Sequence, residues 1–218
     1  GDQYIETTNT ETFHIFQIGL NSNVILPKEQ FVTATGNTTI HGLLTLKSPS
    51  SSGASASFID NGTIGGIGEM IAERYITGLQ WHEVSAPIIN TDVTSALFTR
   101  SNPSGNYNAN FYWYDETKDL DSNPLTEPAD PFDNNYLVPG WTYAHNGEGG
   151  GDVNLSENQG YMFYSDMDQL IEFQGTPATG NFEVTGMSWT NNDPDDDGDS
   201  KPNLYDGWHL VGNPYPSS

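Results

Sequence analysis

Four aspartates alternate along one short stretch: Asp193, Asp195, Asp197 and Asp199, with Gly198 following the third. Carboxylates at every second position, with a glycine to allow a sharp turn, form the opening of a calcium loop. The position where such a loop supplies a bidentate glutamate is Leu204. Asp206, two residues on, is the carboxylate left to reach in. Packing so many acids into one turn is unfavourable without a cation. The expectation is calcium held by Asp193, Asp195, Asp197, Asp199 and Asp206; the competing reading is a solvated acidic loop.

Aromatic side chains form the second constellation. Tyr112, Trp113, Tyr114, Trp141 and Tyr143 lie in or beside a proline-broken span, 115–159, with little strand signal. Flat rings stack on the apolar faces of sugars, while Asn, Asp and Gln bond the hydroxyls. These five are therefore the candidate carbohydrate-binding residues. On a strand, alternate rings point opposite ways, so at most half of Phe111–Tyr114 can share an exposed face. A further acidic area, 115–123 with Asp130 and Asp133, matches no metal loop and reads as polar surface.

Catalytic signatures are missing. The chain has no G-x-S-x-G elbow, no H-E-x-x-H and no phosphate-binding glycine loop. His82-Glu83 starts like a zinc motif but lacks its second histidine. The five histidines are scattered. His82 and His209 each follow a tryptophan, within the echoing stretches 81–88 (WHEVSAPI) and 208–215 (WHLVGNPY). The echo reads as two similar strands, each ended by a proline that cannot continue a ladder.

With 29 acidic and 6 basic residues the net charge is −23. That argues against a nucleic-acid partner, since little here could neutralise a phosphate backbone. No apolar run is long enough to insert in a membrane, and with no cysteine there is no disulfide, thiolate site or cysteine nucleophile. Aromatics make up 12% of a chain that is only 34% hydrophobic, a composition of folded structure with wide polar loops.

The elements that must position these residues are strands. Apolar residues recur every second position in short runs broken by Gly, Asn, Asp and Pro, as in 13–20, 38–47, 110–114, 161–164, 170–175 and 181–189. Only 94–98 could hold a helical turn. The fold expected is all-β: a β-sandwich, jelly-roll-like, preceded by short solenoid-like rungs. Residues 1–75, small and strand-rich, form the rung region. Residues 76–218 form the sandwich, carrying the insertion 115–159.

Several segments together carry a resemblance: 42–64, 73–88, 111–116, Trp141, 157–164, 171–184 and 207–218. In that order they resemble large β-rich surface or secreted proteins of Bacteroidota-type bacteria exported by the type IX secretion system. The acidic stretch is similar to the aspartate repeats of thrombospondin type-3 modules. The resemblance implies an extracellular or cell-surface location and a chain that is part of a longer multidomain protein, with the sorting domain outside it. The expected function is a non-catalytic, calcium-stabilised module for adhesion or polysaccharide binding, its partner a polysaccharide or surface glycan. A structural spacer and a fragment of a polysaccharide-active enzyme are the rival readings.

Overall fold

The computed structural model describes residues 1–6, 10–51, 53–89, 111–116, 141–143, 155–156, 158–165, 167–189 and 207–215. Among them no α-helix occurs, and the all-β expectation holds. Three coils of parallel strands open the chain. The first comprises β1 (Asp2–Tyr4), β2 (Glu11–Phe13) and β3 (Phe16–Ile18). The second comprises β4 (Asn23–Leu26), β5 (Phe31–Ala34) and β6 (Thr38–Ile40), and the third β7 (Leu43–Leu46), β8 (Ser57–Asp60) and β9 (Ile64–Gly65). Each strand of the first two coils pairs in parallel with its counterpart one coil later, so the coils stack as a three-sided solenoid.

Alternation aims one set of side chains inward in every rung. Val24, Leu44 and Met70 form one buried column, and Leu26, Leu46 and Ala72 the next. Phe58 stands over Val32 and packs its ring on Phe16, 5.4 Å between centroids. The corners demand close backbone approach. A Cβ on Gly68 would lie 2.2 Å from the Gly42 carbonyl oxygen, closer than any side chain can come.

β10 (Glu69–Ile76) ends the solenoid and begins the rest. On one side it pairs in parallel with β7. On the other it pairs antiparallel with β16 (Gln169–Pro177), which also pairs with β12 (Ile88–Ile89). A second sheet has the order β11 (Gln80–Ser85), β15 (Gly160–Ser165), β13 (Phe111–Tyr114), β14 (Trp141–Tyr143). The antiparallel pairing of β10 with β16 runs on in unbroken register into that of β11 with β15, Ile76 opposite Gln169 and Gln80 opposite Ser165, so a bend at 77–79 carries one ribbon from the large sheet into the small one. Ile171 and Phe173 of the large sheet share one core with Tyr161 and Phe163 of the small one, and that core continues into the solenoid through Met70 and Ala72.

One ion pair fastens the last coil. Glu73 is buried and receives the Lys47 ammonium and, at 3.2 Å, the Ser48 N–H. The Ser48 hydroxyl accepts from the Tyr75 N–H at 2.9 Å. These contacts tie Lys47 and Ser48, just after β7, to β10.

The strand expected over 181–189 has no ladder partner among the described residues. Its alternation survives, with Phe182 and Val184 half-buried and Glu183 and Thr185 exposed, until Gly186 turns the chain at φ +73°. The helical turn expected at 94–98 lies outside the described residues.

Candidate functional site: an aromatic face on the small sheet

Register decides which rings share a face. Trp81 pairs with Tyr164, and Tyr112 with Met162, while His82 and Phe111 both pair with Phe163. Directly paired residues point the same way. Tyr161, Phe163, Val84 and Trp113 therefore turn to the core, against which Trp113 packs half-buried. Trp81, Tyr164, Tyr112 and Tyr114 share the opposite face.

On that face the rings touch in sequence. Trp81 lies 5.3 Å from Tyr164 and 5.7 Å from Tyr112, and Trp208 meets Tyr114 edge-on at 5.9 Å. Tyr112 and Tyr114 are buried beneath, with 5% and 3% exposure, whereas Trp81 and Trp208 keep 44% and 51%. Trp189 is 61% exposed and lies over Gly207, where a Cβ would come within 2.5 Å of its ring; the glycine, at φ +72°, is what lets the indole settle there. His209 Nε2–H donates to the Ser188 carbonyl at 2.9 Å, clasping the chain on either side of 190–206.

Beside this face runs a groove of about 320 Å³, lined by Trp113, Glu116, Asn158, Glu183, Ser188 and His209 among others. Glu116 is buried and accepts the Ser188 hydroxyl. Gln159 Nε2 donates to the Leu210 carbonyl at 2.9 Å, and Gly160 N–H to the same oxygen at 2.8 Å, holding the far wall.

The echoing segments meet here. Ser85 Oγ donates to the Asn213 carbonyl at 2.9 Å and accepts from its N–H at 3.1 Å. Their histidines do parallel work: His82 Nε2 bonds the Thr77 carbonyl at 2.8 Å, as His209 bonds Ser188. Both are structural ties.

Asp168, just before β16, accepts the Gly78 N–H at 2.8 Å and the Tyr75 hydroxyl at 2.7 Å across the bend of the ribbon. The Gly78 bond first, then Tyr75, holds its carboxyl below the usual range; the same hydroxyl bond, with burial and the nearby charge, raises Tyr75's pKa.

Of the five aromatic residues expected to bind sugar, Tyr112 and Tyr114 form the buried floor and Trp113 turns to the core. Trp141 and Tyr143 belong to β14, where Tyr143 pairs with Tyr112 and Trp141 with Tyr114. Asp193, Asp195, Asp197, Asp199 and Asp206 lie outside the described residues. Among those described, no three His, Asp or Glu side chains converge as metal ligands, and no helix is long and apolar enough to cross a membrane. Sequence reasoning passed over Trp81, Trp189 and Trp208. Their signal was the Trp-His echo and the placing of Trp189 and Trp208 at the two ends of the acidic segment. No family model matches the chain, and no curated protein or solved structure matches it either.

Proposed function

We propose that the chain is a non-catalytic glycan-binding module of an extracellular surface protein, in which sugar rings stack on Trp81, Trp208 and Trp189. The observation that carries this reading is three half-exposed indoles, two of them resting on the buried Tyr112 and Tyr114. Rings already fixed by neighbours lose little entropy when a sugar covers them. The high negative charge favours neutral or weakly charged glycans at this face. Calcium in the 193–206 run belongs to the same proposal, as a brace for the segment whose ends Trp189 and Gly207 hold together.

The test is affinity electrophoresis in native gels cast with laminarin, xylan, mannan or pectin, run in calcium and in chelator. The wild type should be retarded by at least one polysaccharide, and Trp208→Ala and Trp189→Ala should migrate freely while melting as the wild type does. Retardation that survives both substitutions overturns the site. Silence of the folded wild type in every gel leaves a spacer whose solenoid coils serve as a rod.

One observation favours a second reading: Glu116 and Glu183 line the same groove. Paired carboxylates beside a sugar platform are the apparatus of glycoside hydrolysis. Release of reducing sugar from a gel-retarding polysaccharide, lost in Glu116→Gln, would establish it.

A further inference from the structure

Arg74 carries its charge on the core side of a strand. Along β10, Met70, Ala72 and Ile76 face inward and are buried, and alternation puts Arg74 in the same row. Its ladder partner, Ile171, is fully buried. Burial accordingly lowers the guanidinium's pKa from its ordinary value. One donor is engaged, Nη1 to the Glu73 carbonyl at 2.8 Å. Among the described residues no carboxylate pairs with it; the ion pair on this strand joins Glu73 to Lys47.

The unused nitrogens are not sealed in the core. Arg74 lines a cavity of about 310 Å³ between β10, β11 and the segment 213–215, with Tyr75, His82, Ser85, Asn213 and Tyr215 among its walls. A guanidinium drawn partly out of water without a counter-charge is destabilising, and an anion that reached it would relieve that cost. A chain with 6 cations and 29 acids has one of the few placed here. The planar fork matches a carboxylate through two parallel N–H donors. His82 commits Nε2 to the Thr77 carbonyl, which leaves Nδ1 to accept from a hydroxyl. Tyr215 is 36% exposed and offers a ring face. Glu83, on the same wall, works against multiply charged anions.

We propose that this cavity is a subsite for a carboxylate-bearing sugar, a uronic acid residue whose carboxylate sits on the Arg74 guanidinium. The proposal rests on the glycan-binding reading for the ligand's being a sugar; the anion chemistry rests on Arg74 alone.

The test uses methyl β-D-glucuronide, with methyl β-D-glucoside and sodium sulfate as comparisons, in calorimetric titrations and melting curves of the whole chain. Glucuronide should bind the wild type and raise its melting temperature, while glucoside and sulfate should do neither. Arg74→Lys, which keeps the charge but loses the fork, should bind glucuronide at least about tenfold more weakly. Arg74→Gln should not bind it, and should melt no lower than the wild type without ligand. Binding undiminished in either variant overturns the proposal, as does equal affinity for glucoside or no effect of glucuronide. A sulfate response as large as that of glucuronide also overturns it, leaving a general anion site. Trp208→Ala separates the two readings: it should lose polysaccharide retardation and keep glucuronide. Glucuronide binding without any retardation removes the aromatic platform and leaves the subsite.

Discussion

Removing Lys47 should destabilise the protein more than removing the charge of its partner Glu73. The two ends of this ion pair live in different surroundings: the Glu73 side chain is 3% exposed and that of Lys47 43%. Lys47→Met leaves a carboxylate stranded in the interior, with the Ser48 N–H as its remaining bond among those described. Stranding a fully buried charge costs about 3–5 kcal/mol, and one surviving charge-assisted bond trims this to about 3 kcal/mol. Glu73→Gln instead leaves an ammonium that hydrates where it stands, a loss nearer about 1 kcal/mol. For a chain of this length those losses lower Tm by about 6–12 °C and about 2–4 °C. The pair together should lose less than the sum, with a coupling of about 1 kcal/mol or more. Thermal melts followed by circular dichroism at pH 7, on both single variants and the double, decide it. Equal losses, or a larger loss from Glu73→Gln, would refute the claim that burial asymmetry sets the cost.

Three further outcomes are expected. Phe58→Ala empties a 1%-exposed site against Phe16 and should cost about 3–5 kcal/mol, or about 6–20 °C in Tm; scanning calorimetry should show one transition, and two separate ones would contradict a core continuous from solenoid to sandwich. The Asp168 carboxyl is held below its usual pKa, so its contribution is present above about pH 4 and fades as pH falls through the lower folded value. Tyr75, raised, contributes below about pH 10 and loses that contribution as pH climbs; Asp168→Asn should flatten the acid side of the stability profile, and an unchanged profile would count against the bond. In calcium at about 100 times its Kd, bound ion should stabilise by about 2.7 kcal/mol, an increment that Asp195→Ala or Asp197→Ala should remove; identical melting curves in calcium and chelator would dispose of the cage.

Period-2 runs made the strands visible wherever one face is buried: Ile171 and Phe173, or Tyr161 and Phe163, alternate with more exposed neighbours as their sequence suggests. The solenoid's repeat stayed hidden for a specific reason. From β4 to β7 the chain advances 20 residues, Asn23 beside Leu43, but from β5 to β8 it advances 26, Phe31 beside Ser57. The six extra residues fall in the Ser-rich corner 47–56, so no fixed period runs through the three coils. Residues 13–20 read as one strand because Phe13, Phe16 and Ile18 are apolar; the chain turns between them, after β2. The aromatic face was half legible. Local alternation separates Trp113 from Tyr112 and Tyr114, but it cannot say that β11 and the segment after Gly207 bring Trp81 and Trp208 over them. That is a matter of register across long sequence separations. Arg74 was invisible for the same reason, since only pairing with β7 and β16 shows which side of β10 is the inside.

The double role of β10 also sets an order of events in time. Contacts between neighbouring coils close short loops: Asn23 bonds Asp2 across 21 residues and Thr63 bonds Asn37 across 26. The antiparallel seam closes a far longer one, with Gln174 reaching Glu69 across 105. A chain emerging from its N-terminus can therefore wind all three coils before β16 exists, because each short closure is met at once by new burial. During that interval β10 is an open edge, the most hazardous feature of a half-made sheet. Its sequence bears Glu69, Glu73 and Arg74, charges that deter a strand from another molecule. Arrival of β16 then ends the exposure and stops the coiling at this edge, because an antiparallel neighbour occupies the place where another parallel turn would have to be laid down.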